Sequence, residues 1–311
     1  MPRGTHDALP DERNEAVLVY VNGELIPRAQ AAVSVLDSGF LIGDGVWEGL
    51  RLHEGGFAHL AQHLARLEQG ARATALELGM TREEITAALY RTVQANGMHS
   101  DVHVRLMFTR GVKKTPSQDP RLTIGGPTVV IIAEHKRANP EHQSRGITLF
   151  TSTVRRPPPD TLDQRLNCHS KLHEVIALQQ ALAAGADEAL MLDTRGFVAT
   201  CNATNFFIVR GGAVWTSSGR HCLPGITRGE VLRICREEGI PAWEGDFSLT
   251  DVYDAEEAFV TGTFGGLTPV REIDGRKIGE GDWPMTHHLS ARYRAEMAAS
   301  ARAAAAAKEA G

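Results

Sequence analysis

The chemistry of this chain starts with its lysines, because only six of its 33 Lys and Arg residues are lysine. An amine that must lose its proton and attack a carbonyl cannot be replaced by arginine, so a lysine retained in an arginine-rich chain is a candidate nucleophile. Lys171, in RLNCHSKLHEVIALQQA, stands at the start of a helical pattern. Its plain alternative is a solvated charge. Two segments further on offer anion sites. LPGITRGEV puts Gly225, Ile226 and Thr227 at a helix start, where backbone N–H groups and the Thr227 hydroxyl can meet a phosphate. FVTGTFGG ends a strand with Thr261, Gly262 and Thr263, offering another hydroxyl and a close backbone approach. Arg66, in HLARL, can supply the counter-charge. Taken singly, each also reads as ordinary capping or a solvated arginine. His169 and His173 have the spacing of metal ligands on one helix face, but no third ligand lies nearby, so no metal is expected.

Composition sets the frame for these residues. With 311 residues, 42% hydrophobic and 23% charged, the chain is long enough for one large or two medium globular domains. A net charge of -5 with interspersed signs points to neither a nucleic acid nor a membrane as partner. Cys168, Cys201, Cys222 and Cys235 show no metal-ligand spacing and read as free thiols of a reducing cytoplasm. No apolar run is long enough for a membrane span, and the polar first residues are no signal peptide.

The elements that must position the chemistry follow from periodicity. Residues 1–15 read as a flexible leader, 16–137 as a small α/β domain, 138–145 as a linker, and 146–311 as a larger domain with a helical tail. Asn22-Gly23 marks a hairpin. HLAQHLARLEQGARATALELGM reads as one helix, and TREEITAALYRTVQANGM as a second with a Thr81/Glu84 capping box. DVHVRLMFTRG and PTVVIIAEH are strands, whereas KRANPEHQSRG is a polar boundary. In the second half RRPPPDTLDQ reads as a loop, SKLHEVIALQQALAAG and GITRGEVLRICREEG as helices, and the Ala-rich tail as a helix that frays.

In order, HLARL, SKLHEVIALQQA, DEALMLDTRGFVATCNATNFFIV, LPGITR and FVTGTFGGLTPVREIDG resemble the class IV, fold-type IV pyridoxal-phosphate aminotransferases, over roughly residues 18–295. That family contains branched-chain and D-amino-acid aminotransferases and aminodeoxychorismate lyase, and GDGVWEGLR resembles its branched-chain branch. The resemblance implies an α/β (α+β) chain with a small N-terminal α/β sandwich and a larger C-terminal pseudo-barrel domain. It also implies pyridoxal 5'-phosphate as cofactor, an amino acid and a 2-oxo acid as substrates, and a homodimer or higher homo-oligomer. Lys171 would be the Schiff-base lysine. Arg66, Gly225, Ile226, Thr227, Gly262 and Thr263 would hold the phosphate. Trp47, Arg105, Arg110 and Phe264 would line the substrate site, with Arg105 and Arg110 the alternative carboxylate binders. Being five apart in VRLMFTRG, those two arginines should point to opposite faces.

Two positions depart from the pattern. Thr200 stands where the family has the Glu that protonates the pyridine nitrogen, so the ring would be a weaker electron sink. Counting from either flank puts the family lysine at Asn167, four residues before Lys171. Either the helix starts one turn later, or Lys171 reaches back along the same helix face. Lys113 and Lys114 fall in a loop, Lys136 at the boundary, Lys277 after a turn and Lys308 in the tail, which leaves Lys171. The expected activity is transfer of an amino group from a small branched-chain-like or D-amino acid to a 2-oxo acid. The alternatives are a lyase or elimination enzyme on the same cofactor, or a weakly catalytic cofactor-binding protein.

Overall fold

Asn22 and Gly23 both take positive φ, at 48° and 99°, and turn β1 (Leu18–Val21) back into β2 (Glu24–Pro27). In the computed structural model, which describes residues 4–310, these strands belong to an N-terminal unit made of Leu9–Arg137, Leu166–Ser170 and 297–310. With β3 (Gly45–His53), β4 (Gly56–Phe57), β5 (Val102–Thr109) and β6 (Thr128–His135) they form a sheet in the order β2-β1-β6-β5-β3-β4. Val46, Leu50 and Leu52 of β3 alternate onto the same face as Val104, Leu106 and Phe108 of β5, and that face is buried. Short α1 (Ser38–Ile42) precedes β3 and ends on Gly43 in the left-handed conformation. Helices α2 (Leu60–Ala73) and α3 (Arg82–Ala95) complete the core with Leu64, Leu67, Ile85, Leu89 and Val93.

Local signals place these helices well, with one overrun. The Thr81/Glu84 capping box forms at the start of α3. By contrast α2 stops at Ala73, short of its apolar pattern, because Thr74 bonds back to the Gly70 carbonyl at 2.9 Å and Ala75 takes φ 48°.

The second unit comprises residues 4–8, Ala138–Arg165 and Lys171–Glu296. Part of the leader is anchored: Thr5 is buried in this unit, and in the N-terminal unit Glu12–Ala16 forms a 3-10 turn capped by Asp11. The polar boundary is also ordered, as α4 (Pro140–Arg145), with Pro140 in its first turn and the Asn139 side chain capping Glu141 N. A proline at the first helical position has no hydrogen bond to lose. For the same reason RRPPPDTLDQ contains the helical turn α5 (Pro159–Leu162).

The remaining helices are α6 (Leu172–Ala183), α7 (Ile226–Glu238), α8 (Leu249–Tyr253) and α9 (Pro284–Ala310). In the tail of α9, Ala301 is fully buried, and its carbonyl lies 1.9 Å from where a Cβ on Gly56 would sit. That close approach, open only to glycine, fixes a segment whose sequence shows no apolar face.

Among the described residues nine strands build the second sheet: β7 (Ile147–Thr151), β8 (Glu188–Leu192), β9 (Val198–Cys201), β10 (Asn205–Arg210), β11 (Ala213–Ser217), β12 (Ala242–Gly245), β13 (Glu257–Gly262), β14 (Gly266–Ile273) and β15 (Arg276–Lys277). Their order is β12-β11-β10-β13-β14-β7-β8-β9, with β15 on β14. The sheet curls: Ser217 Oγ on β11 donates to the Ala199 carbonyl on β9 at 2.7 Å, although the two strands stand near opposite ends of the order. The result is a half-barrel filled by Leu190, Phe206, Ile208, Phe247, Val260 and Val270.

Candidate active site

In the N-terminal unit, Glu48 is a fully buried carboxylate on the apolar face of β3. Arg66 on α2 grips it with two bonds, Nε to Oε1 at 2.8 Å and Nη2 to Oε2 at 2.7 Å, while His63 Nδ1 lies 2.7 Å from Oε2. Burial pushes the Glu48 carboxyl up, but hydrogen bonds from Arg66 and His63 outweigh this and hold it below the ordinary glutamate value. Arg66 is thus held by a buried carboxylate partner that sequence reading missed. The available signal was a lone Glu among the core-facing residues of β3.

Trp47 and Arg105 share the other face of the sheet. The Arg105 guanidinium lies 3.9 Å from the Trp47 ring centroid, and Gly49, paired with Arg105, leaves room for the Trp47 and His103 rings. Arg110 does not join them. It follows β5, donates to Asp44 through Nε at 2.7 Å and Nη2 at 3.1 Å, and reaches the Ala75 and Thr74 carbonyls at 2.7 and 2.9 Å. Those bonds occupy its guanidinium within the unit.

Residues Leu166–Ser170 also belong to this unit, and they correct the reading of Lys171 as sharing a helix face with Asn167. Trp47 N donates to the Asn167 carbonyl at 3.0 Å, Asn167 Nδ2 donates to the Trp47 carbonyl at 2.6 Å, and His169 N donates to the Gly45 carbonyl at 3.0 Å. The segment is thus an extended ribbon on β3, and α6 begins only at Leu172. His169 lies off the helix as well, so His169 and His173 do not share one helix face. Asn167 is buried with Oδ1 unbonded among the described residues.

In the C-terminal unit Lys171 is the N-cap of α6 and contacts Glu174 Oε1 through Nζ at 3.4 Å. The same oxygen accepts from buried Arg156 at 2.8 Å, and His173 Nδ1 lies 3.0 Å from Oε2. Burial raises the Glu174 carboxyl, but His173, Lys171 and Arg156 bring it down to about 2. Its ionised form therefore stabilises the fold above the unfolded value of about 4.3, and this contribution disappears as pH falls from there toward 2. Urea midpoints at pH 6 and pH 3 should converge between wild type and Glu174→Gln; an equal gap at both would contradict this assignment.

Asn205, which sequence reading did not single out, packs against the start of α7. Its backbone pairs with Thr261, its Nδ2 donates to the Leu223 carbonyl at 3.0 Å, and its Oδ1 lies 2.1 Å from where a Cβ on Gly225 would sit. Only glycine fits there, and as N-cap of α7 it leaves the first amides without a side-chain cap. Thr227 Oγ1 meets Tyr293 OH at 3.1 Å, while the buried Thr261 hydroxyl has no partner among the described residues. Uncapped amides, hydroxyls and the helix dipole suit a phosphate. Gly262 and Thr263 continue from Thr261 into the β13–β14 turn. Thr200 Oγ1 is buried on β9 and donates to the Thr204 carbonyl at 2.8 Å, so its proton is already used. Burial also raises the thiols of Cys201 and Cys235, the latter to about 11, which leaves them protonated at neutral pH.

Residues 45–273 match the family described as Amino-transferase class IV. The chain belongs to this family. An Arabidopsis thaliana branched-chain-amino-acid aminotransferase-like protein 2 is 41% identical over 92% of this chain, which spans about half (51%) of that relative. A putative branched-chain-amino-acid aminotransferase of Methanocaldococcus jannaschii is 39% identical over 84% of this chain and 89% of its own length. The crystal structure of a T.th. branched-chain amino acid aminotransferase complexed with N-(5'-phosphopyridoxyl)-L-glutamate is similar at TM-score 0.84 and 30% identity, covering 92% of this chain and 95% of that one. The fold is accordingly that of the fold-type IV class IV aminotransferases.

Proposed function

We propose that this class IV aminotransferase family member binds pyridoxal 5'-phosphate and moves an amino group between a small amino acid, branched-chain-like or D, and a 2-oxo acid. The observation that carries the reading is the donor set at the start of α7: amides left uncapped by Gly225 and the Thr227 hydroxyl beside them. When bound, the cofactor supplies an electron sink for charge developing at the substrate's α-carbon. Lys171 is the amine assigned to bind its aldehyde and to carry the proton. Trp47 and Phe264 are the assigned substrate walls.

Arg105 is the assigned carboxylate binder, because its guanidinium rests on Trp47 while that of Arg110 is spent on Asp44 and two carbonyls. A half-reaction screen of L- and D-amino acids tests the reading. A donor should convert the bound cofactor, Arg105→Gln should raise its KM about tenfold or more, and Arg110→Gln should lower stability instead. No conversion with any donor, despite bound cofactor, would sink the reading.

A second reading, cofactor held with little catalysis, is favoured by Asn167 at the counted lysine position and by the engagement of Lys171 with Glu174. Absence of turnover with intact cofactor binding would select it. We also place the protein in the cytoplasm, in keeping with four cysteines free of disulfides, and expect a homodimer or larger homo-oligomer. Val35 and Phe40 in the N-terminal unit are 72% and 69% exposed, and on α6 Leu172 is 70% exposed, with Val175 and Ile176 beside it on the helix surface. Sedimentation at the mass of a single chain would refute the oligomer.

A further inference from the structure

We propose that residues 4–8 form a clamp on the β13–β14 turn, with Thr5 as its positioning residue and Glu188 as its anchor. The proposal deepens the functional reading above, because it rests on Thr263 and Phe264 of that turn meeting cofactor and substrate. The turn is three residues long, Thr263, Phe264 and Gly265, between the paired ends Gly262 and Gly266. Such a short connection carries little to fix its own side chains, and here the fixing comes from far away in sequence.

Glu188, the first residue of β8, is a buried carboxylate with no ion pair among the described residues. It accepts from Thr5 N at 2.7 Å, from the Thr5 hydroxyl, and from Thr204 Oγ1 at 3.1 Å. Two of its three donors thus belong to one residue of the N-terminal segment. A buried carboxylate that lost both would be left short of donors, so the segment is held firmly. Gly4 lets it lie close: a Cβ there would stand 3.1 Å from the Asp187 carbonyl and the Glu188 side chain. Asp7 completes the hold, with Oδ2 3.1 Å from His142 Nε2 and 3.3 Å from Asn139 Nδ2.

From this anchor the segment presses on the turn. The Thr5 carbonyl lies 3.3 Å from where a Cβ on Gly265 would sit, and the His6 ring faces that of Phe264 with centroids 6.4 Å apart. On the same side, Gln143 of α4 donates to the Gly265 carbonyl at 3.3 Å. Phe264 is buried as a result. The turn cannot shift without displacing Thr5, and Thr5 cannot move without stripping Glu188. The Thr263 hydroxyl and Phe264 ring are thereby held in place by a residue that touches neither ligand.

Amide hydrogen exchange on the full chain tests the clamp, and equilibrium binding of pyridoxal 5'-phosphate, followed by tryptophan fluorescence, tests its consequence. In Thr5→Val, exchange at residues 263–266 should rise at least about tenfold while β10 and β13 keep their protection. Thr5→Ser, which keeps the hydroxyl, should restore slow exchange. Removal of residues 1–8 should reproduce the Val effect. Cofactor affinity should fall about tenfold in the Val variant and recover in the Ser variant. Unchanged exchange at the turn, a rise spread evenly over the unit, or a local rise with unchanged affinity would each overturn the proposal. Wild-type protein that binds no cofactor would instead refute the functional reading, and the exchange result would still decide the clamp.

Discussion

Replacing Lys171 with alanine lowers turnover of an amino donor by at least about a thousandfold on the proposed reading, because one side chain supplies both the attacking amine and the proton carrier. Lys171→Arg should be as inactive, since it keeps the charge and loses the amine. Three of the other lysines are engaged elsewhere. Lys113 is buried with Nζ bonded to the Asp119 carbonyl at 3.1 Å, Lys277 is an exposed partner of Glu280, and Lys308 lies over Tyr90. The contact with Glu174 does not trap Lys171. At 3.4 Å and partly exposed, such a pair is worth under about 1 kcal/mol. Glu174 also keeps Arg156 at 2.8 Å when the lysine leaves. Wild-type turnover in Lys171→Arg would remove Lys171 from the chemistry.

Glu48→Ala is the second large effect, and it falls on stability. The substitution leaves the Arg66 guanidinium, only 10% exposed, without the carboxylate that takes two of its bonds, and strips His63 of the same partner. Breaking a buried pair by removing one member costs about 3–5 kcal/mol. A lower urea midpoint with a preserved slope would register this. Affinity for pyridoxal 5'-phosphate should fall with it, because Arg66 loses the partner that aims it. Glu48→Gln keeps the volume and some hydrogen bonding and should lie between. A midpoint within experimental error of wild type in Glu48→Ala would show that the pair is not stabilising.

What could be read from the sequence is what is decided locally. The Asn22-Gly23 hairpin, the Thr81/Glu84 capping box and the Gly225 helix start each depend on neighbours a few residues away, and each is present. The family's order of motifs supplied the two-part architecture that such local signals leave open. The misses share one cause, a partner distant in sequence. Thr5 meets Glu188 across 183 positions, which anchors that part of the polar leader. Arg110 meets Asp44 across 66 positions, which commits its guanidinium to that carboxylate. Asn167 meets Trp47 across 120 positions, which holds it on a ribbon along β3 and leaves the later helix start of the two readings. Pro140 and Pro159 failed differently: a proline that forbids a helix interior is welcome in its first turn.

The displacement of the amine from Asn167 to Lys171 is the point on which the functional account turns. Borohydride reduction of the full chain with pyridoxal 5'-phosphate, followed by peptide mass mapping, tests it directly. A phosphopyridoxyl group should appear on Lys171 and on no other lysine. A cofactor that binds yet leaves Lys171 unmodified, or that marks a different lysine, would contradict it.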